Sequence, residues 1–246
     1  MEGISSEHRG PAAGGSRFDT LPRWFPAALA VIAGMVDLTS FVSLGGIFSA
    51  HVTGNLVVLA ARVTEGAPAK PAQVLIVPLF VVTIAVVWLL VRKIGRGSPG
   101  ATRVVLLMHF LLLLAVLVVA VVGRAGQFPT GAAALAAVLL AAAAMAAQNA
   151  LLHLQVTGAP ATAMMTGNLV SAVILTLEAI STGGAGRPVV AARLRGVLEL
   201  LGGFVLGCTL AGIVLLFDRD WAWALPAVLA GGVTVAAFRC WFPSAF

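Results

Sequence analysis

Asp37 lies midway along an apolar stretch, Trp24–Leu44. An ionisable group at that depth costs about 2.5–3.5 kcal/mol even on lenient insertion scales, so it must face a partner or a water-filled cavity. Two chemistries follow. Asp37 either binds a proton or cation, or it is a capped carboxyl that hydrogen-bonds a neighbouring helix. Downstream stands Thr53-Gly54-Asn55, which supplies a hydroxyl that caps or coordinates, a glycine that exposes backbone, and an amide with donors and acceptors. At a helix start these groups bind an anion or satisfy orphan N–H groups, and both uses draw on the same atoms. His51, just before the tripeptide, is a proton-carrier candidate. His109 and His153 read as hydrogen-bonded structural residues, and Glu199 as a secondary acidic candidate.

The tripeptide recurs. Thr53-Gly54-Asn55-Leu56 returns 113 residues later as Thr166-Gly167-Asn168-Leu169, and Asp37 falls opposite Gln148-Asn149 in the second copy. A duplication places the first unit at 23–122 and the second at 123–246, after a polar cytoplasmic tail at 1–22. Paired interruptions of this kind mark a binding site at the interface of repeat-built transporters. The site set expected is therefore Asp37, His51, Thr53, Gly54, Asn55, Gln148, Asn149, Thr166, Gly167 and Asn168.

The elements that position these groups are hydrophobic. The chain is 60% hydrophobic and 10% charged with a mean hydropathy of +1.05, so no single water-soluble core hides its apolar surface. Its net charge of +6 is spread in ones, twos and threes between apolar runs, the pattern of loops against an anionic leaflet rather than of a nucleic-acid surface. Eight apolar segments stand out: Trp24–Leu44, Gly46–Val63, Ala72–Val91, Val104–Val122, Gly131–Leu154, Ala161–Ile180, Leu194–Phe217 and Trp221–Phe238. The first exceeds the hydrophobic region of a cleaved signal and is expected to stay as a helix. Trp24, Trp88, Trp221, Trp223 and Trp241 sit at segment ends as interface anchors, and Gly203 and Gly207 form a GxxxG pair for close helix crossing. Cys208 and Cys240 read as packing residues.

Loop charge bears on topology. If all eight segments span, ten of the 15 Lys and Arg residues lie on the side of the N-terminus; if the two tripeptide segments are half-helices, eleven do, because Arg92, Lys93, Arg96 and Arg103 move inside while Arg62, Lys70 and Arg124 move out. The positive-inside rule favours the second arrangement. The fold expected is an all-α polytopic membrane protein of two tandem, inverted repeats, with six full transmembrane helices and two interrupted half-helices carrying Thr-Gly-Asn.

Enzyme templates find no match: there is no nucleophile elbow, no HExxH, no phosphate loop, and no second intramembrane aspartate for an aspartyl protease. No catalytic residue, metal site or cofactor is expected.

The run Gly34-Met35-Val36-Asp37 with Phe41, Gly45-Gly46-Ile47-Phe48 and Thr53-Gly54-Asn55-Leu56 resembles the opening of the DUF1275, or YoaK, family of bacterial membrane proteins. Gln148-Asn149 with Met165-Thr166-Gly167-Asn168-Leu169 resembles that family's second half. The resemblance implies a multi-pass protein of the bacterial inner membrane with six or more helices and no established activity. It adds weight to Asp37, Thr53, Asn55, Gln148, Asn149, Thr166 and Asn168, and names no substrate.

The leading functional expectation is a small secondary transporter or channel for a small polar or anionic solute, with both termini cytoplasmic and Asp37 facing Gln148 or Asn149 across the repeat interface. The alternative is a non-transporting scaffold or regulatory component, and a membrane enzyme ranks third. Expected partners are the lipid bilayer, an unidentified small solute and, as an option, a second copy of the chain.

Overall fold

The computed structural model describes residues 22–155, 165–181 and 187–239. Within them lie eight α-helices: α1 (Trp24–Ser43), α2 (Val52–Thr64), α3 (Pro71–Ile94), α4 (Pro99–Gly123), α5 (Ala132–Gln155), α6 (Met165–Ser181), α7 (Arg187–Leu215) and α8 (Ala224–Arg239). Six are long and apolar enough to cross a membrane; α2 and α6 are not. At 1.5 Å per residue, the 13 residues of α2 rise about 20 Å and the 17 of α6 about 26 Å, short of a hydrocarbon core of roughly 30 Å.

Local chemistry sets the breaks. Gly45 and Gly46 adopt φ of 82° and 77°, a conformation that ends α1 and that side chains with a Cβ resist. Pro71 and Pro99 open α3 and α4 at positions where no N–H is needed, and the Ser98 hydroxyl caps α4 by accepting from the Ala101 N–H at 3.2 Å. Residues 46–51, part of an apolar segment in the sequence, form loop because Asp37 and its neighbours capture their backbone groups.

Side-chain contacts fix the direction of every crossing. The Lys70 ammonium at the start of α3 donates to the Gly45 carbonyl at the end of α1, at 2.5 Å. The buried Asp220 carboxylate, just before α8, accepts the Gly126 N–H of the α4–α5 turn at 2.6 Å. One face of the molecule, the Lys70 face, therefore gathers the ends of α1, α4 and α7 with the starts of α3, α5 and α8. The opposite face, named for Arg103, holds the remaining ends; there the Arg103 Nε–H donates to the Ala237 carbonyl at 3.2 Å. The chain leaves α1 and enters α3 on the same face, so α2 re-enters. By the same reasoning the chain leaves α5 and enters α7 on the Arg103 face, so α6 does not cross, and α1 and α5 cross in opposite directions.

Buried helices α1 and α5 form the centre, while α3, α4, α6 and α7 present Leu, Val and Ile outward as lipid-facing surface. α1 packs along α7 in parallel, and α5 packs along α3. The Gly203/Gly207 pair makes the first crossing close: a Cβ at Gly203 would lie 2.9 Å from the Ala27 carbonyl oxygen, and one at Gly207 would overlap the carbonyl of Val31. Trp24 and Trp221 are exposed at segment ends as expected of anchors, whereas Trp223 is buried in a short 3₁₀ turn and Trp241 and Cys240 lie outside the described residues. Glu199, the secondary acidic candidate, points outward from α7 near the Arg103 face.

Candidate functional site

After Ser43 the chain turns back along the last two turns of α1, which brings residues 49–51 level with Asp37. The Asp37 Oδ1 accepts backbone N–H groups from Ser49 at 2.9 Å, Ala50 at 2.6 Å and His51 at 3.4 Å. Non-helical backbone at membrane depth has no water to satisfy it, so this carboxylate supplies what the solvent does not. It also sits at the N-terminus of α2, where an anion meets the positive end of the helix dipole. The second oxygen, Oδ2, has a different partner: it accepts a hydrogen bond from His51 Nδ1.

The rest of the hairpin is held by equally specific contacts. Asn55 is fully buried and clamps Phe48 on both sides, its Oδ1 accepting the Phe48 N–H at 2.9 Å and its Nδ2 donating to the Phe48 carbonyl at 2.7 Å. Ser40, one turn beyond Asp37 on α1, donates to the Ile47 carbonyl at 2.8 Å and pairs with the Ser49 hydroxyl at 2.8 Å. Gly54 lets the Phe48 ring lie on the first turn of α2, since a Cβ there would come within 3.2 Å of the ring.

Beside this hairpin opens a cavity of about 520 Å³. Asp37 and His51 form its polar wall, with Thr53 and Gly54 at the start of α2. Phe41 and Phe48, stacked with ring centroids 4.7 Å apart, line one side, and Phe204 and Cys208 of α7 close the other. His51 meets Phe204 edge-on at 5.4 Å. A cavity walled by aromatic rings, with one carboxylate–imidazole pair and one hydroxyl, suits a small solute with a polar group and an apolar body. The loop N–H groups of residues 49–51 are already taken by Asp37, and no Lys or Arg lines the cavity among the described residues.

Of the residues singled out in the sequence, the structure brings together Asp37, His51, Thr53 and Gly54 in the cavity, with Asn55 buried behind it as the clamp. Gln148 and Asn149 are placed elsewhere: Gln148 Nε2 donates to the Leu29 carbonyl at 3.0 Å, two turns before Asp37, and Asn149 Nδ2 donates to the Met145 carbonyl of its own helix at 2.9 Å. Thr166 and Gly167 are exposed at the start of α6, and Asn168 is buried on its inner side. The loop that joins α5 to Thr166 lies outside the described residues. His109 is buried with Nδ1 against the Ala144 carbonyl at 2.9 Å, a structural tie between α4 and α5, and His153 is exposed.

Sequence reasoning missed Ser40, Ser49, Phe204 and Cys208. Ser40 was readable as a second polar residue one turn from Asp37 on the same helix face. Phe204 and Cys208 bracket Gly207, so the close α1–α7 crossing was the only available hint that they border Asp37.

No curated protein and no solved structure matches the chain. A family model described as "Protein of unknown function (DUF1275)" matches residues 25–236, from the first turn of α1 almost to the end of α8. That span takes in the hairpin, the cavity and both Thr-Gly-Asn segments, and the chain belongs to the DUF1275 family.

Proposed function

We propose that this protein is a small secondary transporter or channel for a small polar solute, with the Asp37–His51 pair in the wall of its pathway. The observation that carries this reading is the division of labour within one carboxylate. Oδ1 is committed to three backbone N–H groups of the hairpin, while among the described residues Oδ2 meets only His51, whose ring borders the cavity. Moving a proton or a cation at Oδ2 therefore acts on the solute cavity and on the hairpin at once, which is the coupling a transporter needs. Because the hairpin donors are taken and no cation lines the cavity among the described residues, an uncharged or cationic solute suits it better than an anion.

In this reading the two halves are inverted repeats. The short helices start at Val52 and Met165, 113 residues apart like the tripeptides, and α1 and α5 cross in opposite directions. The Arg103 face is cytoplasmic, since nine Lys and Arg residues lie there against four on the Lys70 face among the described residues. The membrane is the bacterial inner membrane, with both termini inside. The test is solute flux into proteoliposomes, screened with a pH-sensitive dye for proton-coupled movement. His51→Gln is expected to lower flux at least tenfold with the protein still monodisperse and correctly inserted. Unchanged flux in His51→Gln, for every solute that the wild type moves, contradicts the proposal.

A second reading has its own support. All four Asp37 hydrogen bonds go to residues 49–51 of the hairpin, three of them to its backbone, as they would in a scaffold or regulatory component whose polar groups only lock the fold. That reading expects Asp37→Asn to lower stability in detergent while no solute is ever moved.

A further inference from the structure

α4 and α8 run antiparallel and leave a groove of about 320 Å³ between them, lined by none of the hairpin residues. Leu107 and Phe110 of α4 face Gly231, Val235 and Phe238 of α8 along it, with Arg239 at the rim. From Gly231 to Arg239 the groove follows eight residues of helix, about 12 Å, the length of a good part of an acyl chain. Its inner part is apolar in practice: Thr234, the one hydroxyl, is occupied by the carbonyls of Ala230 at 2.8 Å and Leu106 at 3.2 Å. Val235 and Phe238 are 52% and 47% exposed, so the groove opens toward lipid.

The charge lies at one end only. Arg239 closes the groove on the Arg103 face, and Arg103 is fixed beside it by its bond to Ala237 and by stacking over the Phe238 ring, 5.5 Å from the centroid. An apolar slot with guanidinium groups at its interfacial end has the polarity of an amphiphile with an anionic head.

We propose that the α4–α8 groove binds an anionic phospholipid, one acyl chain lying along Val235 and Phe238 and the phosphate held by Arg239 at the rim. The site is independent of any flux through the Asp37 cavity. The test is native mass spectrometry of the full chain, released from mixed micelles holding equal phosphatidylglycerol and phosphatidylcholine.

The wild type is expected to retain one phosphatidylglycerol in preference to phosphatidylcholine. Arg239→Gln is expected to cut that preference about fivefold, the effect of one basic residue near a membrane surface. Val235→Trp, which fills the groove, is expected to lose the bound lipid, whereas Val228→Trp, exposed elsewhere on α8, keeps it. Soluble glycerophosphate at the same concentration should not displace the lipid. Equal retention of the two lipids, retention unchanged in Arg239→Gln and Val235→Trp, displacement by glycerophosphate, or a dimer that buries Val235 instead of lipid would each overturn the proposal.

Discussion

The two Thr-Gly-Asn segments share the tripeptide and the leucine after it, and differ in what answers them. In the first, a buried acid on the preceding helix reaches back to three loop amides, and Asn55 clamps Phe48 from behind. In the second, the corresponding stretch of α5 offers Gln148 and Asn149, amides that bond Leu29 of α1 and Met145 of their own helix. The tripeptide is thus a helix-start device common to α2 and α6, while the charge accompanies only the first. Here the ionisable centre belongs to the first segment, and α7 supplies the opposite wall of the cavity.

That contrast yields graded predictions for thermal stability in detergent. Asp37→Ala should be the most damaging, about 3 kcal/mol or more, because three buried amides lose their acceptor at once. Asn55→Ala should cost about 2 kcal/mol for its two bonds to Phe48. Gly54→Ala should cost about 1 kcal/mol by pressing on the Phe48 ring, whereas Gly167→Ala, with nothing within 4 Å of its added Cβ among the described residues, should be neutral or slightly stabilising. Asn149→Ala should change stability by less than about 0.5 kcal/mol, since it gives up one bond within its own helix and gains helix propensity. Equal losses from Gly54→Ala and Gly167→Ala would remove the asymmetry between the halves.

The membrane helices were readable from the sequence because an apolar run of about 20 residues has few other fates, and the Gly45-Gly46 break marked where α1 had to stop. What the sequence hid was local to the hairpin. Ile47, Phe48, Ala50 and Val52 make residues 46–51 look like the start of a helix, yet they are loop, held by Asp37, Ser40 and Asn55. Backbone amides carry no sequence signature, so a carboxylate whose partners are amides cannot be paired by inspection. The search for a polar side chain opposite Asp37 led to Gln148 and Asn149, whereas its nearest side-chain partner is His51, fourteen residues along the same chain. The opposite wall depends on which helix packs against α1, and only Gly203 and Gly207 hinted that it was α7.

The re-entry of α2 and α6 underlies the cavity, the inverted crossings and the placement of charge alike, and single-cysteine labelling in intact membranes tests it most directly. In a protein lacking its native cysteines, Arg23→Cys and Glu65→Cys should react with a membrane-impermeant maleimide from opposite sides, and Gln127→Cys and Phe217→Cys from the same side. Labelling of positions 23 and 65 from one side, with 127 and 217 from opposite sides, would mean that both short helices span the membrane, and would contradict the account.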